Sequence, residues 1–197
     1  MLAEGAGVPL VLISVSLLLV LILSIFYPVL MVVSVIQLVI LFIALIFFRD
    51  PERQISSGIV SPADGKIIKL DKGALTVYMG IHNVHVNRSP VSGQMISIEH
   101  IPGQHRPANV EDCQNNERQT FKIETDYGMV TVTQIAGIIA RRTVPYVKKG
   151  EHVKKGQRIG MIRFGSRVEL KFPRKVSFSV RKGDLVKAGE TTLGVWI

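Results

Sequence analysis

The first 48 residues and the rest of the chain have different patterns of apolar and polar positions. From Gly5 to Phe48 there is no Asp, Glu, Lys, Arg or His. About 20 apolar residues are enough for one membrane-spanning helix, and this stretch is about twice that length. Pro28 divides it into two nearly equal parts, because proline interrupts a helix. We therefore predict a membrane-anchoring segment over residues 1–48, formed by one helix, two helices or a hairpin that enters and returns.

After residue 50, short runs of alternating apolar and polar residues are separated by Gly, Pro, Asn and Asp about every ten residues, as in β-strands. The pattern predicts strands at 75–79, 83–88, 94–99, 119–125, 128–134, 158–164, 167–172 and 176–180. A further β-rich run follows the turn at 61–65, and residues 135–142 are ambiguous. We expect residues 49–197 to form a mainly β domain.

One ten-residue pattern, V-x-K-G-x-x-V-K-x-G, occurs at Val147–Gly156 and again at Val180–Gly189. It resembles the turns of biotinyl- and lipoyl-type β-barrels, so we predict a barrel-like or sandwich-like fold with turns of that lipoyl/hybrid type. A carrier domain would also need a modifiable lysine at a hairpin tip. Lys72 follows Asp71, but it lies outside both copies. The repeat is therefore interpreted as architectural.

The positive charge is confined to the polar part of the chain, since every Lys and Arg lies at or beyond Arg49, and the net charge of the whole chain is +9. A basic domain beside an apolar segment indicates an anionic membrane surface, where each Lys or Arg contributes about 1 kcal/mol. No run of five basic residues and no nucleic-acid-binding motif occurs, so nucleic acid is not an expected partner. Arg49 and Arg53 follow the apolar stretch directly, which predicts a cell-membrane protein with its polar domain on the cytoplasmic face. The single cysteine, Cys113, excludes an intrachain disulfide.

A Gly-Ser pair, Gly165–Ser166, interrupts a segment that otherwise alternates like a strand. Glycine has no side chain to block approach to its own carbonyl. The pair therefore has the composition needed for the Ser166 hydroxyl to attack the Gly165 carbonyl and break the chain. A tight bend in a strand is the commoner meaning of such a pair.

Three further side chains could take part in acid–base chemistry: His82, His85 and Asp64. Histidine changes charge near neutral pH, and a carboxylate can orient it, so these residues complete a nucleophile–base–orienter set with Ser166. Residues three apart on a strand point to opposite faces, so both histidines can reach one site only through a bend. No further ligand lies at metal-binding spacing, and we predict no metal.

The residues alone leave three other functions open. A membrane-anchored serine hydrolase or protease would use Ser166, His85 and Asp64 on another molecule. A membrane-tethered, lipoyl-like binding domain would not depend on Ser166. A zinc peptidase would use His82 and His85.

Several motifs together resemble the short-form phosphatidylserine decarboxylase proenzymes, which include archaetidylserine decarboxylases. The resemblance covers about residues 30–197. It rests on Ser61–Gly65, Ile81–Gly93, Asn116–Arg118, Gln134–Arg142 and Arg163–Glu169, which occur in the order found in that family. Gln119 departs from the pattern, since Asn often follows Glu-Arg in the family.

The resemblance implies a pyruvoyl enzyme that is made by self-cleavage. His85, oriented by Asp64, would take the proton of Ser166, and the chain would break between Gly165 and Ser166. The β chain would be residues 1–165, and the α chain would begin with a pyruvoyl group derived from Ser166. Both chains would stay associated.

The resemblance also implies decarboxylation of a membrane lipid with a serine headgroup, with His82 as the proton donor. The sequence does not separate acyl from isoprenoid-ether lipids, and it is compatible with a homo-oligomer. Candidates for holding the substrate phosphate, since arginine suits such recognition, are Arg118, Arg141, Arg142, Arg163 and Arg167.

Overall fold

A computed structural model of the chain describes residues 1–104, 115–137, 143–162 and 166–197. The chain divides into two compact units, Met1–Pro51 and Glu52–Ile197.

The first unit is a helical hairpin formed by α1 (Gly7–Ser24) and α2 (Leu30–Phe47). Each helix has 18 residues, a length of about 27 Å at 1.5 Å per residue. Both are long and apolar enough to cross a membrane. The helices are joined by a hydrogen bond from Gln37 Nε2 to Ser16 Oγ of 3.2 Å. The prediction of apolar helices interrupted near Pro28 is confirmed.

The described part of the second unit is built from β-strands, as predicted. The strands are β1 (Ile59–Val60), β2 (Gly65–Asp71), β3 (Ala74–Met79), β4 (Val86–Arg88), β5 (Gly93–Ile101), β6 (Arg118–Thr125), β7 (Gly128–Ala136), β8 (Thr143–Pro145), β9 (His152–Val153), β10 (Arg158–Ile162), β11 (Ser166–Lys171), β12 (Val176–Phe178), β13 (Leu185–Val186) and β14 (Thr192–Trp196).

These strands form three antiparallel sheets. The largest has the order β13-β2-β3-β11-β7-β6-β5-β9, and the two smaller sheets have the orders β1-β14-β12 and β4-β10-β8. Alternate residues of the large sheet, such as Val77, Val168 and Val132, point into one buried apolar core. Strand β11 lies at the centre of the large sheet, between β3 and β7.

The strands outside the centre of the large sheet form two copies of one arrangement. Strands β1, β2, β12, β13 and β14 make up the first copy, and β4, β5, β8, β9 and β10 make up the second. The sheet β1-β14-β12 corresponds to β4-β10-β8, and the pair β13–β2 corresponds to β9–β5. The repeated sequence Val147–Gly156 and Val180–Gly189 forms β9, β13 and their flanking turns. The architectural interpretation of that repeat agrees with this arrangement.

A second repeated motif, whose repetition was not predicted, opens β2 and β5. It is Ser-Pro-x-x-Gly, found at Ser61–Gly65 and at Ser89–Gly93. In the first turn Ser61 Oγ donates to the Ala63 carbonyl, at 2.7 Å, and in the second Ser89 Oγ donates to Val91, at 2.6 Å. The two copies thus share their turns as well as their strand order.

Two of the predicted boundaries need correction. The strand predicted at 83–88 begins only at Val86, because Gly80 and Asn83 close a turn through a hydrogen bond from Asn83 N–H to the Gly80 carbonyl, at 3.0 Å. Strand β7 continues to Ala136, into the ambiguous segment, of which residues 138–142 lie outside the described residues. Strands β1, β8, β9 and β13 were not predicted, since two or three residues are too few to show a period, and the five-residue strand β14 was missed as well.

Candidate active site

Ser166 is the first residue of the central strand β11, and its side chain is fully buried. Its register partners are Met79 on β3 and Ala136 on β7. The alternation that directs Val168 into the core also directs Ser166 inward. Its Oγ donates to Met79 Sδ at 3.5 Å, a weak hydrogen bond. A hydroxyl in this position is shielded from solvent and from large external substrates.

His85 directly precedes β4 and is also fully buried. Its Nδ1 lies 2.8 Å from the Asn83 carbonyl oxygen. Because a carbonyl can only accept, Nδ1 carries the proton, and Nε2 is then the basic nitrogen of the neutral ring. The backbone carbonyl of His85 accepts a hydrogen bond from Ile162 N–H, at 3.2 Å. His85 is thus fixed beside the end of β10.

Asp64 ends the first Ser-Pro-x-x-Gly turn, and its carboxylate is mostly buried. Oδ1 accepts a hydrogen bond from Ala188 N–H, at 2.8 Å. Oδ2 lies 2.8 Å from Arg53 Nη2. The two carboxylate oxygens of Asp64 thus contact Ala188 and Arg53. His85 Nδ1 instead contacts the Asn83 carbonyl oxygen. Orientation of His85 by Asp64 therefore stays a prediction.

Met79 joins the elements that bear these side chains. Its sulfur accepts from Ser166 Oγ and, at 3.6 Å, from Asn87 Nδ2, two residues after His85. Gly65 lies against the carbonyl of Tyr78, the preceding residue of β3. The Asp64 turn and Ser166 are therefore about two strand spacings, or about 10 Å, apart.

Two buried polar residues of this region were not singled out by the sequence analysis. Gln134 Nε2 donates to Asn87 Oδ1 at 2.7 Å and so connects β7 to β4. Both side chains are fully buried. A usable signal was present, since Gln134 occupies an inward position between Val132 and Ala136, where an apolar residue is expected.

His82 lies in the turn before β4 and is exposed, whereas His85 is buried. The turn thus places the two histidines in different environments. Gly165 lies outside the described residues, and so do Arg141, Arg142 and Arg163.

The two described arginines of the predicted phosphate set lie in one row across the large sheet. Arg118 on β6 and Arg167 on β11 are both register partners of Ile135 on β7. Arg167 follows Ser166 and points to the opposite face of the sheet, where its Nη2 lies 2.6 Å from Glu169 Oε1. The two arginines thus share one row, and the register places their side chains on the face opposite to that of Ser166.

Asn116 connects this row to the backbone next to Ser166. Its Nδ2 donates to the Ala136 carbonyl at 2.7 Å, and Ala136 is the register partner of Ser166. The adjacent Glu117 accepts from Thr143 N–H at 3.3 Å and lies 3.1 Å from His100 Nε2. The Asn-Glu-Arg motif therefore holds the ends of β6, β7 and β8 together.

Comparison with known proteins identifies the family of the chain. The chain matches the model of the phosphatidylserine decarboxylase family over residues 41–194. A protein of Methanosarcina mazei, provisionally named archaetidylserine decarboxylase proenzyme, is 47% identical over 155 residues, 77% of this chain and 74% of the relative. A provisionally named protein of the same kind from Archaeoglobus fulgidus is 48% identical over 145 residues, 74% of each chain.

A bacterial relative is equally similar. The phosphatidylserine decarboxylase proenzyme of Streptomyces avermitilis is 45% identical over 153 residues, 75% of this chain and 71% of the relative. These matches define the protein as an enzyme of the carboxy-lyase class. They confirm the predicted resemblance. The chain belongs to the phosphatidylserine decarboxylase family.

Proposed function

We propose that the chain cleaves itself between Gly165 and Ser166 and then decarboxylates a membrane lipid with a serine headgroup. The observation that supports this most directly is the complete burial of Ser166 beside its own strand partners. A serine hydrolase must expose its nucleophile to another molecule. A buried hydroxyl is suited instead to attack on the neighbouring peptide bond.

Self-cleavage requires a base, and His85 is the proposed one. The Ser166 hydroxyl loses its proton to His85 Nε2 as the oxygen attacks the Gly165 carbonyl, which turns the amide into an ester. β-Elimination then releases the Gly165 carboxylate and leaves dehydroalanine at position 166. Addition of water and loss of ammonia give a pyruvoyl group. Asp64 would stabilise the charged imidazole, as carboxylates do in related catalytic sets.

The sheet topology supports association of the two products. After cleavage the α chain, which begins at position 166, would contribute β11 to the centre of the large sheet, between β3 and β7. It would also contribute β13, which pairs with β2, and β14, which pairs with β1. The two chains therefore share the core and the ladder hydrogen bonds.

The buried end of β11 fits a small group that is made from Ser166 itself, because the neighbouring Ala136 is small and Met79 is flexible. Such a group supplies an electron sink for decarboxylation. The exposed His82 would deliver a proton to the substrate carbon. Arg118 and Arg167 would hold the phosphate, together with Arg141, Arg142 and Arg163.

The apolar hairpin would keep the enzyme on its substrate membrane. Both helices are long and apolar enough to span it, and Arg49 and Arg53 after α2 favour the cytoplasmic face for the catalytic domain. The basic surface of that domain would favour anionic lipid. A lipid substrate and a membrane-tethered enzyme are consistent, since the lipid tails need not leave the bilayer.

Intact-mass spectrometry on the wild-type protein and a Ser166→Ala variant tests self-cleavage. Two fragments are expected from the wild type, split after residue 165, with the smaller one lighter than its sequence by the serine-to-pyruvoyl change. Ser166→Ala should give one chain. A folded, membrane-bound wild type that stays intact contradicts the proposal. Carbon dioxide release from vesicles that contain acyl or isoprenoid-ether serine lipids then identifies the substrate.

A further inference from the structure

Arg53 is a buried cation in the segment that follows the apolar hairpin. Its side chain is 7% exposed, and it contacts two carboxylates. Nη2 lies 2.8 Å from Asp64 Oδ2, and Nη1 lies 3.3 Å from Glu190 Oε1. A buried arginine is costly to desolvate, so its two partners matter for its position and its charge.

The duplicated fold shows which part of Asp64 the turn itself requires. In the first copy Asp64 Oδ1 accepts the N–H of Ala188, at 2.8 Å. At the equivalent place in the second copy Ser92 Oγ accepts the N–H of Lys155, at 2.9 Å. A neutral hydroxyl is therefore sufficient for the turn. What the first copy adds is a second oxygen and a negative charge, and Arg53 contacts that oxygen.

The backbone around Arg53 is hydrogen-bonded to the end of the repeat Val180–Gly189, which belongs to the first copy of the fold. Ser56 N–H donates to the Gly189 carbonyl at 3.0 Å, and Ser56 Oγ donates to the Glu190 carbonyl at 2.5 Å. Ile55 packs against Gly156 and Gly189, the last glycines of the two repeat copies. These contacts fix the backbone segment that bears Arg53.

The two carboxylates that contact Arg53 have different further partners. Lys187 Nζ lies 3.8 Å from Glu190 Oε2, whereas Asp64 Oδ2 contacts Arg53 at 2.8 Å. Without Arg53, the carboxylates of Asp64 and Glu190 would repel each other. Arg53 therefore offsets this repulsion through its contacts with both carboxylates.

We propose that Arg53 is a positioning residue for self-cleavage: it fixes Asp64 Oδ2 and offsets the repulsion of the Glu190 carboxylate, so that Asp64 can stabilise the imidazolium formed on His85. This inference rests on the proposed function. Since Arg53 lies in the segment that follows the apolar hairpin, this segment would take part in the self-cleavage that matures the enzyme.

The experiment measures the rate of self-cleavage by intact mass in freshly folded Arg53→Met, Arg53→Lys and Arg53→Met/Glu190→Gln. Arg53→Met is expected to slow cleavage by about 10- to 100-fold, by analogy with the loss seen when a partner that orients a metal ligand is removed. Arg53→Lys keeps the charge and should slow it less. Removal of the competing carboxylate in the double variant should recover part of the loss, which a merely structural role of Arg53 does not predict.

Glu52→Gln is the matched control, since Glu52 lies in the same segment and its Oε1 contacts Arg158 Nη2 at 3.1 Å. It should cleave at the wild-type rate. A folded Arg53→Met that also cleaves at that rate overturns the inference, and so does the absence of recovery with Glu190→Gln. If Arg53→Met does not fold, the same comparison is made with Arg53→Lys and its Glu190→Gln double variant. Failure of the wild type to cleave would instead overturn the proposed function.

Discussion

The two copies of the duplicated arrangement have the same backbone but different polar residues. In the first copy Ala188 N–H donates to the side chain of the residue before Gly65. In the second copy Lys155 N–H donates to the side chain of the residue before Gly93. That side chain is Asp64 in the first copy and Ser92 in the second. Both side chains accept the hydrogen bond that the turn requires, so this bond belongs to the architecture. Only the first copy also has a negative charge and a partner arginine, Arg53.

The correspondence extends along the strands. Gly183 N–H donates to the Ile67 carbonyl in the first copy, at 2.8 Å, and Gly150 N–H donates to the Met95 carbonyl in the second, at 2.7 Å. The register of β2 shifts just after Ile67, and the register of β5 shifts just after Met95. Substitutions at equivalent positions should therefore have equal effects on stability, and unequal effects on self-cleavage where only one copy bears the chemistry.

The largest effect is expected at the glycines that open β2 and β5. A Cβ at Gly65 would collide with the Tyr78 carbonyl, and one at Gly93 would collide with the Glu124 carbonyl. Since the obstacle is backbone in both cases, Gly65→Ala and Gly93→Ala should each lower the free energy of unfolding by about 3 kcal/mol, the upper part of the overpacking range. Denaturant unfolding measures both variants.

Gly73→Ala is the control for that pair, since a Cβ there would lie 3.8 Å from the Phe172 carbonyl oxygen, an ordinary contact. It should change stability by less than about 1 kcal/mol. A Gly65→Ala variant much more tolerant than Gly93→Ala would contradict the equivalence of the two copies.

The next effect distinguishes the copies. Asp64→Asn keeps an oxygen for Ala188 N–H but removes the charge, so self-cleavage should slow by about 10²- to 10⁴-fold, as for other acid–base sets. Ser92→Ala removes one neutral hydrogen bond, should cost about 1 kcal/mol of stability, and should leave the cleavage rate unchanged. Intact-mass time courses and thermal unfolding measure both variants. Equal slowing by the two substitutions would show that the turn, not the charge, matters.

Much of the fold could be predicted from the sequence, because its signals are local. Helix length and the break at Pro28 follow from composition, and strands such as β6 and β7 show the two-residue period. The duplication was only half visible, through Val147–Gly156 and Val180–Gly189. Its other half, the two Ser-Pro-x-x-Gly turns, shares few residues and becomes evident only when equivalent hydrogen bonds are compared.

The site could be predicted less completely. Gly165–Ser166, His85 and Asp64 were found through motifs, and the structure describes all of these but Gly165. The contacts of Asp64 with Arg53 and Ala188 were not foreseeable. Arg53 is 11 positions away and Ala188 is 124 positions away along the chain. No local pattern reports a contact between such distant segments.

A smaller effect is expected at the contact that both repeat copies share. Ile55 packs against Gly156 and Gly189 but is 41% exposed. Ile55→Ala should therefore lower the free energy of unfolding by about 1 kcal/mol, less than a fully buried isoleucine would. Denaturant unfolding tests this. A loss as large as that of Gly65→Ala would mean that the contact stabilises both copies and not only the segment before β1.

The smallest effect concerns an exposed ion pair that differs between the copies. In the second copy, hydrogen bonds from Lys122 and Ser97 and the charge of Lys122 lower the pKa of Glu99. Asp71, at the equivalent place in the first copy, lies 3.3 Å from Lys69, which stands where the second copy has Ser97. A carboxyl whose pKa is lowered on folding stabilises the protein above its unfolded pKa, and this contribution is lost as the pH falls through the folded value.

Lys122→Met should therefore raise the pKa of Glu99 toward its ordinary value, as followed by NMR titration of the side-chain carboxyl. Because the pair is exposed and screened by salt, the melting temperature at neutral pH should hardly change. Self-cleavage should be unaffected, since Glu99 lies on β5, away from the end of β11 that bears Ser166. An unchanged pKa in Lys122→Met would assign the shift to Ser97 instead. The chemical difference between the copies at this position would then come from the strand itself rather than from its partner β6.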